Sequence, residues 1–156
     1  MIRSEYLRQI LVCPTCFKEL FIVENDIQCS TCGNVGDIKN DILNFYTSVE
    51  KNDQPAFYND IEYKEAIQKL EELHRFHYDD NTLSRKLENY LKTELLKIVV
   101  DPQRPFFDIG CGTGTGFKHL GYPKEIVGID ISLTLLKTCK KNYPEADCIC
   151  CDITYP

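Results

Sequence analysis

Apolar positions follow a helical period in the middle of the chain and a strand pattern near its carboxyl end. Leu, Ile and Ala recur every three or four residues over 59–76, and Leu and Ile do so again over 83–98, which predicts two amphipathic helices. Three short apolar runs follow at 106–109, 126–130 and 148–152, each containing or ending in an acid. Their length and their spacing of about 20 residues predict three buried strands of an α/β sheet.

The first third of the chain is built around two cysteine pairs. The spacing C-x2-C-x12-C-x2-C is typical of a zinc ribbon, in which four thiolates bind Zn²⁺ tetrahedrally. The predicted ligands are Cys13, Cys16, Cys29 and Cys32. Two short strands at 19–23 and 26–28 lie between the pairs, and Gly33 suits a metal knuckle with positive φ. Four thiolates leave no open coordination position, so the zinc is predicted to be structural; two disulfides or a redox cysteine pair are the alternatives.

The first apolar run of the carboxyl-terminal part continues into a glycine-rich loop. Residues 106–114 have the sequence Phe-Phe-Asp-Ile-Gly-Cys-Gly-Thr-Gly. This loop does not fit the dinucleotide motif G-x-G-x-x-G in either register, and it lacks the Gly-Lys-Ser/Thr of a phosphate-binding P-loop. Glycines at alternate positions allow a ligand to approach the backbone closely. The alternative is that they serve only to pack a helix against a strand.

The pattern D-x-G-x-G-x-G, with acids closing the next two strands, resembles the class I S-adenosylmethionine (SAM)-dependent methyltransferases over about 104–156. The resemblance implies that Asp108 accepts a hydrogen bond from the ammonium group of SAM, Asp130 from the ribose hydroxyls, and Asp152 from the adenine amino group. The isoleucine after each of the two later acids is implied to lie against the adenine. The implied cofactor-binding residues are Asp108, Gly110, Cys111, Gly112, Gly114, Asp130, Ile131, Asp152 and Ile153. Alternatively, the two later acids only cap loops at strand ends.

The segment around the cysteine pairs also resembles a known family, the zinc ribbons that accompany methyltransferases. The resemblance is carried by residues 11–14, the second cysteine pair, and residues 36–45. Members of that family occur alone, including as activating partners of tRNA and translation-factor methyltransferases. They also occur fused in front of class I methyltransferases, such as ribosomal-RNA guanine methyltransferases.

These patterns together predict an α/β chain with three parts. They are a zinc ribbon over 1–48, a helical connector over 49–103, and a partial Rossmann-like, SAM-binding half of a methyltransferase domain over 104–156. The resemblance implies a sheet with strand order 3-2-1-4-5-7-6, of which the sequence supplies strands 1–3. We therefore expect a fragment that ends after strand 3, lacks an acceptor site and is inactive by itself. Strand 1 is expected to form an exposed edge, where a second copy can pair to give a dimer.

The composition of the chain limits which cellular compartments and which binding partners are expected. The chain has 156 residues, 43% of them hydrophobic, and a net charge of −6 without a basic segment, so composition gives no support for nucleic-acid binding. No apolar run is long enough to predict a membrane span, and the first 12 residues lack a signal-peptide core. Nine cysteines without a secretion signal indicate a reducing compartment, and we expect a cytoplasmic protein.

The predicted function of the chain is to bind SAM as part of a methyltransferase. The intact enzyme is expected to be a metal-binding transferase that passes the methyl group of SAM to RNA, protein or a small molecule. RNA is slightly favoured because of the ribbon, and no catalytic residue can be named. The alternative is a non-catalytic zinc-ribbon module that docks a partner enzyme or RNA. Chelation of zinc is expected to unfold residues 1–48 and to spare the carboxyl-terminal part.

Overall fold

A computed structural model describes residues 5–45, 82–120 and 125–153, together with Glu65 and Lys69. Its helices are α1 (Glu5–Ile10), α2 (Leu83–Val99) and α3 (Leu133–Asn142), with a short 3-10 helix at Phe117–His119. Its strands are β1 (Leu20–Val23), β2 (Asp26–Cys29), β3 (Gly33–Lys39), β4 (Ile42–Phe45), β5 (Pro105–Ile109), β6 (Glu125–Asp130) and β7 (Asp147–Cys150). The predicted fold class, an α/β chain with a partial parallel sheet, is confirmed.

All seven strands join one mixed sheet in the order β1-β2-β3-β4-β7-β6-β5. Strands β1 to β4 form an antiparallel meander, whereas β4, β7, β6 and β5 run parallel to one another. The strands predicted at 106–109, 126–130 and 148–152 correspond to β5, β6 and β7. Strands β3 and β4 and helix α1 were not predicted from the sequence, nor was the pairing of β4 with β7. The boundaries proposed for the three parts stay a prediction.

The hairpin between β3 and β4 turns at two residues that tolerate positive φ. Lys39 pairs with Ile42, so Asn40 and Asp41 alone connect the strands, with φ of 54° and 60°. Two positive φ values in a two-residue loop are typical of a type I′ turn, and Asn and Asp adopt that conformation more easily than most residues. The turn therefore places residues 42–45 beside β3, where their other edge is free to meet β7.

Both longer helices begin after a residue whose hydroxyl group caps the first turn. Thr82 Oγ1 accepts a hydrogen bond from the Arg85 amide at 3.3 Å, and Ser132 Oγ accepts one from the Leu135 amide at 3.3 Å. These are N-cap contacts, which satisfy amides that the first turn leaves unpaired. The helix predicted at 83–98 is confirmed as α2. The helix predicted at 59–76 lies outside the described residues, except that Glu65 and Lys69 are helical.

Alternation along the strands creates one hydrophobic core on each face of the sheet. On β7, Ile149 belongs to one core, while Cys148 and Cys150 belong to the other. The first core joins the ribbon and α1 to the parallel strands and consists of Leu7, Cys13, Ile27, Cys29, Val35, Leu43, Phe45, Val127 and Ile149. The second lies under α3 and the glycine loop and consists of Ile42, Cys111, Phe117, Leu120, Leu136, Cys139, Ala146, Cys148 and Cys150. Both faces of the parallel strands are thus covered.

Among the described strands, β5 has a single neighbour, β6, and forms one end of the sheet. This placement agrees with the expected position of strand 1, and dimer formation through that edge stays a prediction. Of the helices that the structure describes, none is both long enough and apolar enough for a membrane span.

Candidate cofactor and metal sites

The glycine loop turns sharply at the carboxyl end of β5. Gly110, Gly112 and Gly114 have φ of 78°, 54° and 76°, a region that side chains disfavour. The amides of Gly110 and Cys111 both donate to the carbonyl oxygen of Ile129, at 2.8 and 3.1 Å. The loop is therefore held against the end of β6.

The three glycines have different surroundings. A Cβ added at Gly110 would meet no atom within 4 Å, and one at Gly112 would meet only Leu135 Cδ1, at 4.0 Å. A Cβ added at Gly114 would lie 2.7 Å from Cys139 Sγ, on α3. The loop therefore has an open flank at Gly110 and Gly112, where a ligand can reach the backbone, whereas Gly114 is required for packing against α3. The alternative interpretation, that a glycine here serves only to let a helix pack closely, therefore holds for Gly114.

Asp130 links the end of β6 to the glycine loop. Its Oδ2 accepts a hydrogen bond from the Gly112 amide, and its Oδ1 accepts one from the Ser132 amide, both at 2.8 Å. Each carboxylate oxygen can accept a second hydrogen bond. The arrangement leaves acceptor capacity for two hydroxyl groups, but ribose binding by Asp130 stays a prediction. The Ser132 amide was not among the predicted site groups, although the N-cap contact of Ser132 with the Leu135 amide fixes its position.

Asp108 is the second carboxylate beside the loop. Burial raises the pKa of Asp108, and the charge of Asp130 raises it further. Two carboxylates without a cation between them repel each other, and a bound cationic group would offset that repulsion. SAM carries an ammonium and a sulfonium group, so the electrostatics of the site suit a cationic ligand of this kind.

The remaining implied residues lie at the ends of β6 and β7. The Cys151 amide donates to the Asp130 carbonyl oxygen at 3.1 Å, which brings the segment before Asp152 beside β6. Ile131 and Asp152 are half-buried, and Ile153 is 59% exposed. Ile153 is thus accessible for contact with a ring.

Cys111 differs from the other implied residues. Its side chain is buried in the core under α3, where its Sγ would lie 2.8 Å from a Cβ added at Gly128. Only the backbone of Cys111 can therefore contact a ligand on the open flank.

The Asp108→Asn substitution separates stability from binding. Because ionised Asp108 is disfavoured by burial and by Asp130, we expect the variant to have a higher free energy of unfolding at pH 7 and a weaker affinity for S-adenosylhomocysteine (SAH). A raised pKa means that the folded state holds the proton more tightly, so the stability difference from wild type should shrink as pH falls through the folded pKa. Urea unfolding at pH 7 and pH 4 measures this, and a less stable variant at pH 7 would contradict it.

The four predicted zinc ligands converge in the ribbon. The Sγ atoms of all four lie within 4.8 Å of one another, and those of Cys16 and Cys29 are 3.4 Å apart. A tetrahedral Zn²⁺ with Zn–S bonds of about 2.3 Å requires sulfur atoms about 3.8 Å apart, so the cluster fits the ion. All nine cysteines are free thiols. The donor set therefore suits Zn²⁺ with a closed, structural coordination shell.

The backbone around the cysteines favours metal binding. Phe17 and Gly33, which each follow the second cysteine of a pair, have φ of 59° and 79°, so the two knuckles turn in the same way. Amides of Cys32 and Thr31 hydrogen-bond Cys29 and lower its pKa to about 6. The side-chain hydrogen bond with Cys16 raises the pKa of Cys32 to about 12, so Cys29 is the more acidic thiol of the second pair. The thiolate is the form that binds metals, and Cys29 is therefore the readiest ligand of that pair.

One family model matches the carboxyl-terminal segment. Residues 107–156 match a family described as "Methyltransferase domain", which covers about a third of the chain. This match supports SAM-dependent methyl transfer in general for the segment. No curated protein is significantly similar to the chain in sequence.

Several solved structures align with part of the chain. A TehB-like SAM-dependent methyltransferase from Corynebacterium glutamicum aligns with a TM-score of 0.46 and 17% identity, covering 62% of this chain and 49% of that one. The plantazolicin methyltransferase BamL, solved with SAH, aligns at 0.40 and 24% identity, with coverage of 62% and 36%. The [4+2]-cyclase SpnF aligns at 0.38 and 23% identity, with coverage of 47% and 30%. The chain spans about half or less of the length of each of these proteins.

Proposed function

We propose that residues 104–156 bind SAM and form the cofactor half of a methyltransferase. The observation that carries the proposal is the open flank of the glycine loop at Gly110 and Gly112. This flank lies beside Asp130 and follows directly after the end of β5, which contains Asp108. Ligands of open α/β sheets bind at this edge. The family match over residues 107–156 supports the same ligand.

Bound SAM would supply an electrophilic methyl group, which passes to a nucleophile and leaves SAH. The residues of this chain contribute binding and orientation. The loop amides and the carboxylates of Asp108 and Asp130 hold the amino-acid and ribose parts, and Asp152 holds the adenine amino group. Positioning of this kind lowers the entropic barrier of a two-reactant step. We leave the acceptor open among RNA, protein and small molecules, and rank RNA first because of the ribbon.

We also propose that Cys13, Cys16, Cys29 and Cys32 bind one structural Zn²⁺. The convergence of their four sulfur atoms supports this. Nine free thiols suit a reducing compartment, and on that ground we propose a cytoplasmic location.

An Asp130→Ala variant tests the cofactor site. We expect it to weaken SAH binding by roughly 1–3 kcal/mol, because the ribose hydroxyls and the Gly112 amide both lose an acceptor. Isothermal titration calorimetry measures the change. Asp26→Ala is the matched control, since this acid is exposed on the ribbon strand β2.

Two outcomes would contradict the cofactor assignment. The first is a zinc-loaded chain that shows no heat with millimolar SAH, which would favour the alternative of a non-catalytic binding module. The second is tight binding of NADH in place of SAH, which would contradict the methyltransferase assignment itself.

A further inference from the structure

We propose that zinc binding by the four cysteines and SAM binding at the glycine loop are thermodynamically linked, so that the metal content of the ribbon controls the affinity for SAM. The inference rests on the proposed function of both sites. Its basis is that the ribbon covers one face and one edge of the cofactor-binding sheet.

The edge contact is the pairing of β4 with β7. Leu43 lies opposite Ile149, and Asn44 lies opposite Cys150, in parallel register. Strand β7 leads directly into Asp152, and the Cys151 amide binds the Asp130 carbonyl oxygen. The positions of Asp152 and Ile153 therefore depend on β7, whose outer edge is paired with the ribbon strand β4.

The face contact is the hydrophobic core shared by the ribbon and the parallel strands. Two of the zinc ligands, Cys13 and Cys29, are 0% and 2% exposed and belong to the same core as Val127 and Ile149. Cys151, one residue before Asp152, packs against this core. The zinc-binding knuckles and the end of β7 are thus connected by continuous side-chain packing.

On the same face, a further contact joins the amino-terminal helix α1 to the sheet. The rings of Tyr6 on α1 and Phe107 on β5 pack edge to face, with centroids 6.3 Å apart. Leu7, also on α1, is buried in the shared core. The ribbon and α1 together occupy the face of the sheet opposite α3.

Through these contacts, the bound metal determines how well ordered the cofactor site is. A small ribbon held by Zn²⁺ loses its fold when the metal leaves. Loss of the ribbon would expose Val127 and Ile149 and free the edge of β7, so the chain would have to restore this order when it binds SAM. Linkage is reciprocal, and SAM must therefore strengthen zinc binding by the same factor.

Calorimetric titration of the full chain with SAH, under reducing conditions, tests the linkage. We expect zinc-free protein to bind SAH at least about tenfold more weakly than zinc-loaded protein, which corresponds to about 1.4 kcal/mol. Competition with a chelator should show that saturating SAH raises zinc affinity by the same factor. Equal SAH affinity in the two forms would overturn the linkage.

Variants in the shared core separate the linkage from metal ligation. Leu43→Ala keeps all four cysteines and should still bind one zinc, but it should weaken SAH binding because it removes packing against Ile149. Leu43→Val is a milder change for use if the alanine variant does not fold. Ile22→Ala is the control, since Ile22 is 46% exposed on the outer strand β1. Normal SAH affinity in both Leu43 variants would count against the proposal.

Hydrogen exchange distinguishes failure of the linkage from failure of the proposed function. Zinc removal should accelerate amide exchange in β7 even without SAH, whereas unchanged exchange would overturn the coupling of ribbon and sheet. A zinc-loaded chain that binds no SAH would overturn the proposed function together with its linkage to zinc. SAH binding that is indifferent to zinc would overturn the linkage alone.

Discussion

Serine in place of Cys29 is expected to reduce the zinc content from one ion per chain to none and to destabilise the protein by several kcal/mol. Binding of a structural zinc is worth roughly 10–16 kcal/mol in zinc-finger peptides, and it depends on a complete set of thiolates. Cys29 is 2% exposed, so the variant also places a hydroxyl group in the core that joins the ribbon to β6 and β7. Elemental analysis and urea unfolding measure the two effects.

Cys139→Ala is the matched control for the zinc content. Cys139 is equally buried, but it lies on α3 in the other core, and its Sγ is 4.0 Å from that of Cys148. It should keep one zinc per chain while losing some stability. A folded wild-type protein without zinc, in which all four ribbon thiols react freely, would exclude the metal site.

The unfolding profile on chelation tests how independent the ribbon is. The sequence alone predicts that unfolding on chelation is confined to residues 1–48. The core shared with Val127 and Ile149 gives a different expectation, in which the parallel sheet loses stability together with the ribbon.

Alanine at Gly114 and at Gly110 is expected to have opposite main effects. At Gly114 the new methyl group would lie 2.7 Å from Cys139 Sγ and 3.1 Å from Tyr143 Cδ2, at a φ of +76°. Overpacking costs roughly 1–3 kcal/mol and a left-handed conformation about 1–2 kcal/mol more, so we expect a stability loss of about 2–5 kcal/mol. At Gly110 only the backbone term of about 1–2 kcal/mol applies, because no atom lies within 4 Å.

Binding should show the reverse order for protein that remains folded. The methyl group at Gly110 occupies the open flank, so Gly110→Ala should lose most of its SAH affinity. Gly114→Ala should bind SAH more nearly normally under conditions where it is folded. Urea unfolding measures the stability of the two variants, and calorimetry on the same preparations measures their SAH affinity. Wild-type SAH affinity in Gly110→Ala would show that the cofactor does not approach the backbone there.

Short-range features of this protein follow from its sequence. The N-caps at Thr82 and Ser132 and the positive φ of Gly33 depend on residues within a few positions along the chain. The three parallel strands follow from apolar runs that end at acids and glycines. The four-cysteine spacing likewise predicted a cluster that the fold brings together. In each case the signal and the structure lie in the same short segment.

Long-range features needed the tertiary structure. Residues 42–45 were not predicted as a strand, although the turn at Asn40 and Asp41 favours a hairpin. Nothing in their pattern indicates that their partner is β7, some 100 residues away. The glycine pattern likewise did not distinguish Gly114, which packs on α3, from Gly110, whose flank is open.

The sequence by itself therefore determined the helix α2, the strands β1, β2 and β5 to β7, and the candidate ligands, because these depend on local backbone preferences and on spacing. The tertiary structure alone decided that one sheet and one core unite the ribbon with the parallel strands, and which glycine faces free space. Strand pairing and close packing depend on residues far apart in sequence, and an apolar strand carries the same alternation whichever neighbour it meets.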